Sequence, residues 1–321
     1  MPTVYSREDS GAPVLSYVST QGSIAQFTAV KTILKACLVS GYSGKPAAGW
    51  SLVAEGDRHL VLRNGTQTGY VCLTWTGGNY LTVYLAETFT GVVSDVITGD
   101  GVKTGVAANN ATQHRLYIGV VAYNTNYCSW LVLADERTFI FQSAGATGAN
   151  WEFIATDGGA MAPLYVGEDS TGRFLAIGGS NTTLTSPNND FSYIGLTALR
   201  DPVTGLLIGT GSITPSTPGL GRSGTATATV TGPVVPLIEA SLAPVRWGTF
   251  TQLAGKLRGV ALCPQLSEYY PSPAARCLGY SGPLITRNAN QQLPMGPDRY
   301  YMGLSYPGSC RHLLTDKAEF W

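Results

Sequence analysis

Few residues in this chain have the type and spacing to do chemistry. The three histidines, His59, His114 and His312, lie far apart and outside any HExxH pattern, so no zinc hydrolase site is indicated. The six cysteines are Cys37, Cys72, Cys128, Cys263, Cys277 and Cys310. They form no CxxC pair and have no histidine at metal-ligand spacing, so they read as buried thiols. Spacing alone leaves one disulfide open among Cys263, Cys277 and Cys310. A GxSxG nucleophile signal is absent. Residues 219–224 spell GxGxxG, but a Pro-rich loop precedes them and a Thr/Val run follows. A dinucleotide site needs a strand before that motif and a helix after it. Residues 41–45 resemble a phosphate loop faintly, with Pro46 where a magnesium-binding hydroxyl would stand. Asp135, Glu136, Asp157 and Glu168 are the carboxylates that could serve a glycosidase, yet all sit at turn signals. Tyr80, Tyr84, Tyr117, Tyr123, Tyr127, Trp130 and Trp151 could stack on a sugar, although strand packing and subunit contact account for them more simply. The expectation is no catalytic residue, no cofactor and no metal.

The elements that would position these residues are mostly strands. The exception is residues 23–39, where Ile24, Phe27, Val30, Ile33, Leu34, Cys37 and Leu38 recur at three- and four-residue steps. Ser23 is the expected N-cap and Gly41 the expected stop. Lys31 and Lys35 flank the stripe, where their stems would cover apolar surface and their ammonium groups reach water. Strands are predicted at 50–54, 59–63, 70–75, 80–85, 115–123, 129–134, 138–142 and 151–155, with Asn64-Gly65 a strong turn signal. Residues 225–235 read as a Thr-rich strand, and proline and glycine interrupt the chain after residue 244. The predicted fold class is mainly β, with antiparallel sandwich or barrel-type domains and one N-terminal amphipathic helix packed on a sheet. Three units are expected: 1–105, 106–210 and 211–321.

Composition bears on partners. Charged residues are only 12% of the chain, with Lys+Arg 20 and Asp+Glu 20, against about 25% in an ordinary soluble domain. Such a surface is suited to being covered by neighbours. No charge block points to nucleic acid, and no apolar run approaches the roughly 20 residues of a membrane helix. Residues 1–9 do not read as a signal peptide. Candidate contact residues are Phe27 and Leu34, which would anchor the helix on the first sheet, and Phe320 and Trp321, which would dock in an intersubunit pocket. Candidate surface turns are Asp57-Arg58 and Asp135-Glu136-Arg137.

Residues 10–13 (SGAP), 36–42 (ACLVSGY) and 45–50 (KPAAGW), followed by 60–64 (LVLRN), resemble a family of virion structural proteins of tailed bacteriophages. Residues 130–139 (WLVLADERTF) resemble that family's charged hairpin. The resemblance covers residues 8–170 well and the remainder loosely. It implies a non-enzymatic virion component made in the host cytoplasm, first at the tail tip or baseplate. Its partners would be itself, in three- or six-fold symmetry, and other virion proteins. The alternatives are a tail adhesin contacting host glycan or pilus, and a capsid decoration or head–tail connection protein.

Overall fold

The computed structural model describes residues 1–7, 9–15, 24–75, 77, 80–104, 115–117, 127–146, 164–179, 194–198, 238–241, 245–246, 249–250, 256–262, 292–295, 298–302 and 312–321. It is mainly β, with antiparallel sheets and one α-helix among the described residues. The chain opens with β1 (Thr3–Ser6) and helix α1 (Ile24–Lys35), which widens into a π-helical turn over Ala36–Ser40. Next come β2 (Ser51–Glu55), β3 (His59–Arg63), β4 (Tyr70–Trp75), β5 (Tyr80–Ala86), β6 (Gly91–Val93), β7 (Val96–Thr98), β8 (Lys103–Thr104) and β9 (Arg115–Tyr117). The first sheet runs β2-β3-β4-β5-β8, with β9 also on β5, and β6 and β7 form a separate hairpin. Next are β10 (Tyr127–Ala134), β11 (Thr138–Ala146), β12 (Leu164–Glu168), β13 (Phe174–Gly179) and β14 (Ile194–Ala198). The second sheet runs β1-β10-β11-β12-β13-β14, so the N-terminal strand closes its edge.

The remaining strands are β15 (Ile238–Ser241), β16 (Val245–Arg246), β17 (Thr249–Phe250), β18 (Lys256–Leu262), β19 (Gln292–Met295), β20 (Asp298–Met302) and β21 (His312–Thr315). They give a third sheet, β15-β18-β21-β20-β19, and a small β16–β17 pair. The predicted strands at 151–155 and 225–235 lie outside the described residues, as do Ser23 and Cys263, Cys277 and Cys310.

Period-two alternation sorts the first sheet's side chains. Leu60, Leu62, Val71, Leu73, Leu81, Val83 and Leu85 face one core, together with Phe27, Val30, Ile33, Leu34 and Leu38 of the helical segment. Trp130, Val132, Phe139, Leu164, Val166 and Phe174 of the second sheet complete that same core. Residues from both expected units, 1–105 and 106–210, thus contribute to one buried cluster. Val61, Cys72 and Ala86, on the first sheet's opposite face, pack with Ile97 under the β6–β7 hairpin.

The helix corrects one expectation. Lys31 does not reach water: it is 5% exposed, its Nζ donates to Gly56 O at 2.6 Å, and it lies 3.4 Å from Glu55. The β2–β3 turn folds against the helix edge and takes the ammonium group. Lys35 remains partly solvated and donates to both oxygens of Glu55 at 2.9 and 2.8 Å. Those bonds and the charges of both lysines hold Glu55 below the usual carboxylate range, against the upward push of burial. Phe27 and Leu34 are fully buried in the shared core. Leu34→Ala is expected to lower unfolding free energy by about 2–5 kcal/mol in chemical denaturation, the range for truncating a buried leucine.

Candidate functional site

The described side chains with the most chemical character converge where three turns meet. The first is the β3–β4 connection, residues 64–69. Asn64-Gly65 opens this loop instead of forming a two-residue hairpin turn. Asn64 is buried, and its Oδ1 accepts from the N–H groups of Thr68 at 2.9 Å and Gly69 at 3.3 Å. The second is the β10–β11 turn, residues 135–137. Asp135 Oδ1 accepts from the N–H groups of Arg137 and Thr138, both at 2.9 Å, the usual way an aspartate closes a tight turn. The third, residues 168–173, joins β12 to β13, and there Asp169 Oδ1 accepts from Thr171 N, Thr171 Oγ1 and Arg173 N.

Glu168 ties the three together. It is 1% exposed. Its Oε1 accepts from Asn64 Nδ2 at 3.1 Å, from Thr68 Oγ1 at 2.8 Å and from Thr66 Oγ1. Its Oε2 accepts from Arg137 Nε at 2.6 Å and lies 2.5 Å from Nη2. Its main-chain oxygen accepts from Tyr165 Oη at 2.6 Å and Thr138 Oγ1 at 2.8 Å. Burial pushes the Glu168 carboxyl upward, but the bonds from Thr66, Thr68 and Arg137 and the guanidinium charge outweigh it, so the group titrates below its ordinary value. Burial also raises the Tyr165 phenol far above its usual range.

A fourth element docks from 120 residues further along the chain. Arg258 on β18 is 5% exposed; its Nη2 donates to Asp135 Oδ2 at 2.6 Å and its Nη1 to Thr138 Oγ1 at 3.3 Å. Its backbone N–H donates to Tyr165 Oη at 3.2 Å, and its Nε to the main-chain oxygen of Trp321 at 2.9 Å. Trp321 lies over the Arg258 guanidinium, its Nε1 donating to Thr315 O at 2.6 Å. Gly259, at φ +69°, leaves room for the indole where a Cβ would collide with it. Phe320 is buried beside it. The C-terminal aromatic pair thus packs on Arg258 and Gly259 of its own chain.

The charged groups of the junction are engaged with one another. A general acid needs a raised carboxyl and a face open to substrate. Glu168 has the opposite shift, and both its oxygens are engaged. Asp135 and Arg137, expected as surface turn residues, are half-buried and paired; Glu136, Asp57 and Arg58 are exposed as expected. Arg58 sits over the Trp75 ring at 4.9 Å. Trp130 is fully buried and donates to Pro13 O at 2.9 Å, so it presents no face to a sugar. Lys45, in the loop resembling a phosphate site, donates to Val4 O at 2.8 Å and lies 3.2 Å from Asp9, tying β1 down. His59 pairs with Asp95 at 2.8 Å beneath the β6–β7 hairpin. Among the described residues, no group of three or more His, Cys, Asp or Glu could hold a metal ion, and no helix is long and apolar enough to cross a membrane. Residues 219–224, His114, Tyr123, Trp151 and Asp157 lie outside the described residues, and nothing is described of the His312, Tyr80, Tyr117, Tyr127 and Cys128 side chains.

Sequence reasoning missed Asn64, Thr66, Thr68 and Arg258 as members of this junction. The available signals were an arginine inside the apolar run 257–262 and hydroxyls alternating after an Asn-Gly step.

Because the Glu168 pKa is lower folded than unfolded, its contribution is complete above the ordinary carboxylate value of 4.5 and is lost as pH falls through the folded value. Glu168→Gln is expected to cost about 1–3 kcal/mol at neutral pH. It should also flatten the acid limb of stability against pH, as read by urea denaturation across a pH series. No protein-family model matches this chain, and a search of curated proteins finds no match.

Proposed function

We propose that this chain is a non-enzymatic structural component of a tailed-bacteriophage virion, placed at the tail tip or baseplate and working through symmetric assembly. The observation that carries the reading is the use made of scarce charge. In a chain with 12% charged residues, Glu168, Asp135, Arg137 and Arg258 are spent on internal cohesion. Of the four carboxylates whose sequence context could suit acid–base work, Asp135 and Glu168 are thereby committed to holding turns together.

Exposed apolar side chains support a covered surface. Leu52 is 42% exposed on β2, an edge strand of the first sheet, and Val93 is 64% exposed at the β6–β7 hairpin. Sheet edges with unpaired backbone groups are where another chain can add. The sequence resemblance over residues 8–170 supplies the phage context.

Purified full-length chain is expected to sediment as a three- or six-fold oligomer, and antibody against it should label the tail end of intact particles in electron micrographs. A monomer in solution combined with unlabelled particles would overturn the proposal. Saccharide release from host polysaccharide, abolished by a carboxylate-to-amide substitution, would replace it with an enzymatic reading.

A further inference from the structure

Asn64-Gly65 is the chain's one Asn-Gly step. In a flexible chain this pair is chemically unstable. The glycine backbone nitrogen, having given up its proton, attacks the asparagine Cγ. The new N–Cγ bond forms as the Cγ–Nδ2 bond breaks, and the amide leaves as ammonia after taking up a proton. A solvent water then opens the succinimide at either carbonyl, leaving aspartate or isoaspartate. Glycine favours the attack because it has no Cβ to obstruct the nitrogen.

We propose that Asn64 is a latent deamidation site, held shut by the folded junction and unable to rebuild that junction once modified. The attacking nitrogen and both polar atoms of the side-chain amide are engaged. The Gly65 N–H donates to Glu136 O at 2.7 Å, which holds the proton the attack must lose. Asn64 Oδ1 is fixed by the N–H groups of Thr68 and Gly69. Its Nδ2 donates to Thr66 Oγ1 at 2.7 Å, Thr68 Oγ1 at 2.8 Å and Glu168 Oε1 at 3.1 Å. Closing a five-membered ring requires the side chain to swing off all of these toward its own backbone. Gly65 is also wedged in place: a Cβ there would stand 2.8 Å from Gly49 O and 2.9 Å from Glu136 Cβ, so the loop has little room to shift.

The product fails for an electrostatic reason. Aspartate at position 64 places an oxygen where Nδ2 stood, facing Glu168 Oε1 across the 3.1 Å now spanned by a hydrogen bond. Two buried carboxylates at that spacing repel unless one of them takes up a proton, and either outcome costs stability that the amide did not. Isoaspartate also inserts a backbone carbon and displaces the loop that carries Thr66 and Thr68. Opening of the junction is therefore reversible only while it is brief.

The test compares wild-type full-length chain in mildly alkaline buffer, native and in urea, with peptide mass mapping over time. Deamidation at Asn64 is expected to be slower in the native chain on the order of a hundredfold or more, because it proceeds only through local opening. Equal rates would overturn the proposal. Separately, Asn64→Asp should melt below wild type, and adding Glu168→Gln to it should raise the melting temperature, since the new amide can donate to the introduced carboxylate. An Asn64→Asp chain that melts with wild type would overturn the one-way element. If Asn64→Asp does not fold, the wild-type rate ratio decides alone.

Discussion

A carboxylate taken out of water must be met by donors, and Glu168 sets that requirement at the centre of this fold. Its donors arrive from different places: Asn64, Thr66 and Thr68 from the first sheet's loop, and Arg137 from a turn of the second sheet. The apolar core between the sheets supplies most of the driving force but is non-directional, so it tolerates sliding. The carboxylate does not. Moving either sheet by a fraction of a hydrogen-bond length would leave a buried charge short of donors. The packing of β3–β4 against β10–β12 is thus fixed by direction as well as by area.

The same logic extends to the C-terminal segment. Arg258 brings a guanidinium into an apolar strand and finds Asp135, Thr138 and the main-chain oxygen of Trp321. Tyr165 links the two charge pairs, donating to Glu168 O and accepting from the Arg258 N–H. Two ion pairs and one buried phenol thereby join the second sheet to the third, and the bonds from Asn64, Thr66 and Thr68 to Glu168 bring in the first. Removing one member leaves its partner buried without compensation, which is why such groups cost more to break than they contribute when intact.

Much of the fold was legible in the sequence because it is local. Alternation in residues 59–63, 70–75 and 80–85 placed three adjacent strands, and the three- and four-residue spacing from Ile24 placed the helix. What was not legible depends on distant partners. β1 pairs with β10, so a division near residue 105 cuts through a shared core. Lys31 was assigned to water because its helical position is a flank, but the β2–β3 turn covers that flank. The turn at 135–137 was recognisable as charged, whereas its main anchor, Arg258, lies 123 residues away from Asp135 and no local pattern connects them. That Trp321 packs on Arg258 and Gly259 follows from a left-handed glycine whose need is visible only in the structure.

The charge shortage takes on a sharper meaning from this arrangement. A chain with 12% charged residues that commits several of them internally leaves its described surface poorer still. Lys31 and Arg258 are almost fully enclosed, and Glu168 is enclosed with them. Solubility then rests on hydroxyls, amides and the exposed charges at turns such as Asp57-Arg58 and Glu136. Leu52 on the β2 edge and Val93 at the β6–β7 hairpin remain exposed apolar side chains on that surface. Charged groups that could otherwise face solvent are the groups that hold the described elements together.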